Sequence, residues 1–270
     1  MASRNASLLL SSLIALLAAF GPTQAFAGRA YVILDAKTGQ VLDAENADVI
    51  NYPASLTKMM TLYLTFEALH QKRFGWDDRL VMSENAESKE PYKFAVGAGN
   101  KITVREAVMG MIVLSTNDAA VAVAETLAGS EQAFGEMMTA KARALGMTST
   151  VFTNPAGLPD PNQVTTAADM ARLGLALMRD YPDEYKLFST TNFTFRSMKF
   201  RGHNRLLVTY PGADGIKTGY TKASGYNLVS SASNGDRRVV GVVLGGDSAA
   251  ERDDQMAALF NKYLGAQSGQ

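Results

Sequence analysis

Apolar positions change period twice along the chain, from short strand-like runs near its start to a broad helical stripe, and back to strands near its end. Ala30 to Leu34 and Gln40 to Leu42 flank Asp35-Ala-Lys-Thr-Gly39, whose glycine supplies a positive φ, and the pattern predicts a hairpin. After Pro53, residues Leu56, Met59, Met60, Tyr63, Leu64 and Leu69 keep helical spacing across Ala54 to Leu69, which predicts a buried helix. Thr103-Val-Arg-Glu106 has the form of a capping box, in which two side chains satisfy each other's free backbone amides, and it opens a helix over Val104 to Leu114. Ser115-Thr116-Asn117 interrupts that helix. Asp118 to Leu127 resumes helical composition before Gly129, Glu131 to Leu145 closes on Gly146, and one more helix runs from Thr166 to about Arg179.

The second change of period comes at Asn192. Phe193-Thr-Phe195, Ile216 to Tyr220, Tyr226 to Ser231 and Arg238 to Leu244 favour strand, and Asn234-Gly235 marks a tight turn between the last two. Ala249 to Leu264 carries Met256, Leu259, Phe260 and Tyr263 at helical spacing and predicts a final helix packed on the sheet. The expected fold is α+β. One antiparallel sheet, drawn from residues of about 29–50 and 190–264, is flanked by helices, with an all-helical lobe over about 80–185.

Ahead of these elements, Arg4 precedes an apolar run from Leu8 to Phe20 and the small-x-small triplet Ala25-Phe26-Ala27, which is the grammar of a cleaved signal peptide over residues 1–27. The run is short for a membrane span, so an uncleaved anchor is the weaker alternative. Composition narrows the chemistry. The 270 residues are 47% hydrophobic, enough for one sizeable core. Lys plus Arg and Asp plus Glu number 26 each, so no global field draws nucleic acid and any anion recognition is local. The absence of cysteine excludes thiol chemistry and cysteine zinc sites, and two histidines without an HExxH pattern argue against a histidine-rich metal centre. Neither a metal nor a cofactor is expected.

Three polar clusters carry candidate chemistry. Ser55-Leu-Thr-Lys58 sets a hydroxyl and an amine three residues apart on one helix face, about 5–6 Å apart at Cβ, where they can share a proton. A serine hydroxyl needs a neighbouring base, and lysine serves only when desolvation or nearby cations lower its pKa. Ser115-Thr116-Asn117 occupies the helical corner, so Ser115 and Asn117 project from it. Lys217-Thr218-Gly219 lies on a predicted strand, offering a fixed cation and a glycine that leaves room for an extended ligand. Each cluster alone has an ordinary reading: a capped helix start, a turn, and a surface strand with a bulge glycine.

Their joint occurrence, in this order and on these elements, matches the Ser-x-x-Lys, Ser-x-Asn and Lys-Thr-Gly set of β-lactamases and penicillin-binding proteins. The chain resembles the D-alanyl-D-alanine carboxypeptidases of serine peptidase family S11, the low-molecular-mass penicillin-binding proteins. The resemblance spans about Ala30 to Leu264 and includes Pro53-Ala-Ser-Leu-Thr-Lys-Met-Met60, Ser115-Thr-Asn-Asp-Ala-Ala120, Phe152-Thr-Asn-Pro-Ala-Gly-Leu158 and Asp214-Gly-Ile-Lys-Thr-Gly219. It implies a β-lactamase/transpeptidase-like fold. It also implies Ser55 as nucleophile, Lys58 as base, Ser115 as proton relay and Asn117 as the group that holds Lys58 and the substrate. Lys217 and Thr218 would face the substrate's terminal carboxylate beside Gly219, and the amides of Ser55 and Tyr220 would form an oxyanion hole. Arg252 matches a family arginine that follows a Gly-Gly pair, here Gly245-Gly246, or is an exposed residue of the last helix. The implied partners are peptidoglycan stem peptides ending in D-Ala-D-Ala, with β-lactams as inhibitors.

Two departures stand out: Thr116 and Tyr220 replace the glycine and histidine that family members often carry at those positions. Many relatives also continue into a β-rich domain and an amphipathic anchor, whereas 26 residues follow Leu244 here, so a soluble periplasmic enzyme without an anchor is expected. The nearest competing activities are a DD-endopeptidase and a β-lactamase. Fast deacylation in class A β-lactamases is attributed to an extra glutamate acting through water, but the loop from Asn154 to Gln163 holds Asp160 and no glutamate. A non-catalytic binding module and a Ser-His-Asp hydrolase using His70 or His203 are weaker alternatives from other classes.

Overall fold

The computed structural model describes residues 28–265, so the signal peptide expected over 1–27 lies outside the described residues. The chain opens with strands β1 (Ala30–Asp35) and β2 (Val41–Glu45), an antiparallel hairpin with Gly39 at φ 73°. Pro53 leads into a 3-10 turn (Ala54–Thr57) that continues as helix α1 (Lys58–His70). A short ribbon of β3 (Arg79–Val81) and β4 (Lys101–Thr103) precedes α2 (Val104–Met109), whose capping box between Thr103 and Glu106 is complete. A π-helical turn (Gly110–Leu114) leads to the corner and then to α3 (Asn117–Ala128), α4 (Glu131–Ala144) and α5 (Ala167–Asp180). A hairpin of β5 (Asn192–Phe195) and β6 (Met198–Arg201) follows, then β7 (Ala213–Thr221), β8 (Gly225–Asn234), β9 (Arg237–Gly246) and the closing helix α6 (Ala249–Leu264).

The main sheet is antiparallel, in the order β2-β1-β9-β8-β7, so both chain ends build it. Side chains alternate across its faces as a period of two demands. Val32, Leu34, Val229, Val240 and Val242 face the larger core with α1 and α5, while Ile33, Leu228, Val239 and Val243 meet Met256 and Phe260 of α6. Each such side chain contributes about 1.5–3 kcal/mol when fully buried. Gly241 lets α6 lie close, because a Cβ there would come within 2.5 Å of the Met256 sulfur.

Three expectations need correction. The strand at Phe193-Thr-Phe195 forms, but it pairs only with β6 and stands apart from the main sheet. The lobe is not purely helical, because β3 and β4 pair within it; three-residue strands are too short to show a period. The helix expected from Ala54 begins as a 3-10 turn, and Ala54 itself has φ 49°. Among the described residues no helix is long and apolar enough to cross a membrane.

Candidate active site

The turn that presents Ser55 is strained and clamped. A positive φ at Ala54 costs an L-residue about 1–2 kcal/mol, so the surrounding structure must hold it. Asn227 of β8 does so: it is fully buried, its Nδ2 donates to Tyr52 O (2.9 Å), and its Oδ1 accepts from Gly245 N (3.0 Å). In a 3-10 turn side chains three residues apart eclipse one another, which brings Lys58 under Ser55. Lys58 Nζ stands 3.3 Å from Ser55 Oγ.

Lys58 is wholly buried and donates to Asn117 Oδ1 (2.7 Å) and Ala156 O (2.5 Å). Burial holds its ammonium well below the usual lysine range; the positive Lys217 pushes the same way, and the Asp118 carboxylate opposes both. The Ala156 carbonyl is delivered by a loop organised around Asn154, whose Oδ1 accepts from the amides of Ala156, Gly157 and Leu158 (3.2, 2.8 and 3.1 Å). Pro155 O also takes the hydroxyl of Thr61 from α1 (2.7 Å). Gly157 is obligatory at this contact, because it has φ 81° and a Cβ would lie 1.9 Å from Ala54 O.

The corner between α2 and α3 supplies the second cluster. Gly110 opens the π-turn with no room for a side chain, since a Cβ would meet the Phe94 ring at 2.3 Å. Ser115 then turns into the left-handed region (φ 61°, ψ 34°) and Asn117 begins α3. Asn117 is held at both ends: its amide donates to Tyr92 O (2.6 Å) and its Nδ2 to Glu90 O (2.9 Å). Asp118 accepts from the amides of Phe94 (2.6 Å), Ala95 (3.2 Å) and Ala119 (2.8 Å), yet burial pushes its carboxyl up to about 6. Ser115 Oγ and Thr116 Oγ1 are buried without a hydrogen-bond partner among the described residues.

The third cluster lies on β7, the edge strand of the sheet beside the 3-10 turn. Gly219 approaches the backbone of Ser55, so that a Cβ there would lie 3.1 Å from Ser55 N. Lys217 is 2% exposed and donates to Thr218 O (2.9 Å); burial, then the charge of Arg252, lower its pKa to about 7. Arg252 is therefore not an exposed residue of the last helix. It is buried, its Nε and Nη2 donate to Asp253 Oδ1 (3.0 and 2.7 Å), and its Nη1 reaches Asn227 O (3.4 Å). Thr218 is 9% exposed, whereas Tyr220 is 53% exposed with its ring packed on Tyr226 at 4.3 Å.

The structure thus joins Ser55, Lys58 and Asn117 by direct contacts and sets Lys217 within electrostatic reach of Lys58. His70 pairs with Glu184 (2.9 Å) and His203 packs on the Tyr92 ring (5.2 Å), so the group beside Ser55 Oγ is the lysine. Asn154, Ala156 and Asn227 were not foreseen as parts of the site. Ala156 acts through its backbone carbonyl, which no side chain marks, and the sequence signal for its loop is the Asn-Pro-Ala-Gly turn chemistry. Among the described residues no group of His, Cys, Asp and Glu is arranged to hold a metal.

Residues 19–248 match the sequence model of peptidase family S11, D-alanyl-D-alanine carboxypeptidase. The chain belongs to this family. It is 41% identical to D-alanyl-D-alanine carboxypeptidase DacA of Haemophilus influenzae over 220 residues, which cover 80% of this chain and 56% of that protein. Among solved structures it resembles penicillin binding protein 5 from Haemophilus influenzae, with a TM-score of 0.84 and 38% identity over 88% of this chain and 70% of that one. It also resembles penicillin-binding protein D2 from Listeria monocytogenes in its cefotaxime-bound form, with a TM-score of 0.78 and 30% identity over 85% and 95% of the two chains. The chain thus has the fold of these penicillin-binding proteins but spans little more than half the length of the DacA protein.

Proposed function

We propose that this chain is a serine D-alanyl-D-alanine carboxypeptidase that trims peptidoglycan stem peptides through an acyl-enzyme on Ser55. The observation that carries the reading is Lys58: buried, depressed in pKa, and 3.3 Å from a serine hydroxyl. A neutral lysine amine takes the Ser55 proton as Oγ attacks the carbonyl carbon of the penultimate D-alanine. The amides of Ser55 and Tyr220 receive the developing oxyanion, where fixed donors in a water-poor site stabilise charge most. As the tetrahedral intermediate collapses, Ser115 relays a proton to the leaving amine, and water then hydrolyses the ester. Asn117 keeps Lys58 in line.

Lys217, Thr218 and Arg252 bind the terminal carboxylate beside Gly219. A bound anion restores the Lys217 charge that burial and Arg252 disfavour. Asp160 is the acidic residue of the Asn154 to Gln163 loop, and its Oδ1 is engaged by Asn162 N (2.8 Å), which favours a long-lived penicilloyl adduct over rapid β-lactam hydrolysis. The similarity to penicillin-binding protein D2, solved with cefotaxime bound, supports β-lactams as inhibitors here. We also read residues 1–27 as an export leader and 28–270 as one catalytic unit working in the periplasm.

The test is direct. Mature protein is incubated with a stem pentapeptide and with a crosslinked dimer. Free D-alanine from the pentapeptide is expected; monomer released only from the dimer would make the chain an endopeptidase. Absence of both products, with no penicillin adduct on Ser55 by mass spectrometry, would sink the reading.

A further inference from the structure

A ring contact joins the lobe to the segment that leads into β7, and it takes no part in the chemistry assigned to Ser55, Lys58 and Ser115. Tyr92 and His203 meet with centroids 5.2 Å apart and planes at 59°, and both residues are exposed. The backbone around Tyr92 is pinned: its carbonyl accepts from Asn117 N (2.6 Å), and two residues on Phe94 N donates to Asp118 Oδ2 (2.6 Å). The Phe94 ring stacks on Phe195 of β5 at 4.1 Å. His203 follows Gly202, whose amide donates to Thr191 O (2.8 Å) and where a Cβ would lie 3.4 Å from Val113 Cγ1, two residues before Ser115. Both rings are therefore mounted on fixed backbone.

The rings meet where the departing residue has to sit. Tyr92 is bound to Asn117, while partial desolvation, and then the charge of Lys217, lower the His203 imidazole below its usual value, which places His203 near that lysine. At neutral pH the imidazole is uncharged, so it is a wall and not a further cation. On the carboxypeptidase reading the departing residue offers its amine to Ser115 and its carboxylate to Lys217. The carbon bearing both groups, and the side chain on it, then lie in the interval between Asn117 and Lys217. A methylene chain threading between two rings needs about 7–8 Å, twice the usual carbon–carbon contact distance. Centroids 5.2 Å apart leave no such passage.

Resting on that reading, we propose that Tyr92 and His203 close the pocket of the departing residue, so that it admits the methyl group of a terminal D-alanine and refuses a longer side chain. A crosslink attaches to the departing amine a chain that runs on to a second stem peptide, so the same two rings favour trimming over crosslink cutting. The side chains of Tyr92 and His203 are specificity elements in this scheme and move no proton.

The test compares two peptides identical up to the penultimate D-alanine and ending in D-alanine or in D-norleucine, whose butyl chain replaces the methyl. Wild type should favour the D-alanine peptide by about 30-fold in kcat/KM, the scale on which a pocket of fixed size separates substrates by their methylenes. His203→Ala and Tyr92→Ala should each bring that ratio below about fivefold, and Tyr92→Phe, which keeps the ring, should leave it as in wild type. Labelling of Ser55 by a fluorescent penicillin shows that each variant is folded. A wild-type ratio near one, or a ratio that neither alanine variant lowers, overturns the filter, and D-alanine released in the same assay leaves the activity standing. If wild type cleaves neither peptide, the activity reading fails instead. The filter is then read by how well each peptide protects Ser55 from the fluorescent penicillin. Stronger protection by the D-alanine peptide that His203→Ala levels supports it; equal protection in wild type, or a difference that both alanine variants keep, overturns it.

Discussion

On the sheet side of the cleft, Lys217 sits in a strand paired residue by residue with β8, opposite Val229, and its ammonium is tied to Thr218 O. On the lobe side, Ser115 stands at the end of a π-turn in a left-handed conformation, and its hydroxyl and that of Thr116 are buried without partners among the described residues. Each side contributes something different. A ladder fixes a cation cheaply, because hydrogen bonds already required by the sheet position it. A hydroxyl that must exchange protons cannot be locked into a permanent bond, and it has to be held by strained backbone instead. The lobe side is therefore where the molecule gives up stability for chemistry.

The largest expected effect tests the group between the two sides. Lys58→Ala should slow acylation of Ser55 by a fluorescent penicillin about 10³-fold, the scale of a lost general base. Labelling within tenfold of wild type would move the base elsewhere. In the wild type the same rate should fall as pH drops through the lowered pKa of Lys58, because an ammonium has no lone pair to accept the serine proton.

Next comes the contact beneath the turn. Gly157→Ala forces both a positive φ and a Cβ onto Ala54 O, and should cost roughly 3 kcal/mol in urea denaturation. A loss below about 1 kcal/mol would mean that the loop relaxes freely and that the strained turn is not clamped from below.

On the sheet side, Lys217→Gln should lower kcat/KM for a peptide with a free carboxylate by about 30-fold, in keeping with a lost charge-assisted bond, and less for the peptide amide. Its stability profile gives a second readout. The folded-state pKa of about 7 lies below the unfolded value of 10.5, so the unfolded chain binds more protons between them and stability rises with pH across that window. The variant should rise less than wild type over the same range, and identical profiles would contradict the depressed pKa.

The smallest effect isolates the strain. Ser115→Gly relieves the left-handed backbone and removes an orphaned hydroxyl, partly offset by glycine's entropy, and should raise stability by about 0.5 kcal/mol while turnover falls. A destabilised variant would show that the corner is not strained.

Much of this was legible in the chain. The hairpin of β1 and β2, the buried helix α1, the corner at Ser115 and the run of β7, β8 and β9 all follow local rules of period and turn chemistry. Backbone groups recruited from elsewhere were not legible: Ala156 O under Lys58, and the carbonyls of Glu90 and Tyr92 that hold Asn117. A carbonyl is present at every residue, so its selection leaves no mark on composition. The β5–β6 hairpin was misplaced for a related reason, since strand propensity does not say which strand is the partner.

By itself the sequence determined which hydroxyls and amines were on offer and on what elements, because those depend on neighbours a few residues apart. Tertiary structure decided what those groups can do. Lys58 has the lowered pKa that the proposed base needs only because the loop around Asn154, the corner at Asn117 and the cation at Lys217 close over it, and desolvation of a charge is a property of the whole surrounding volume.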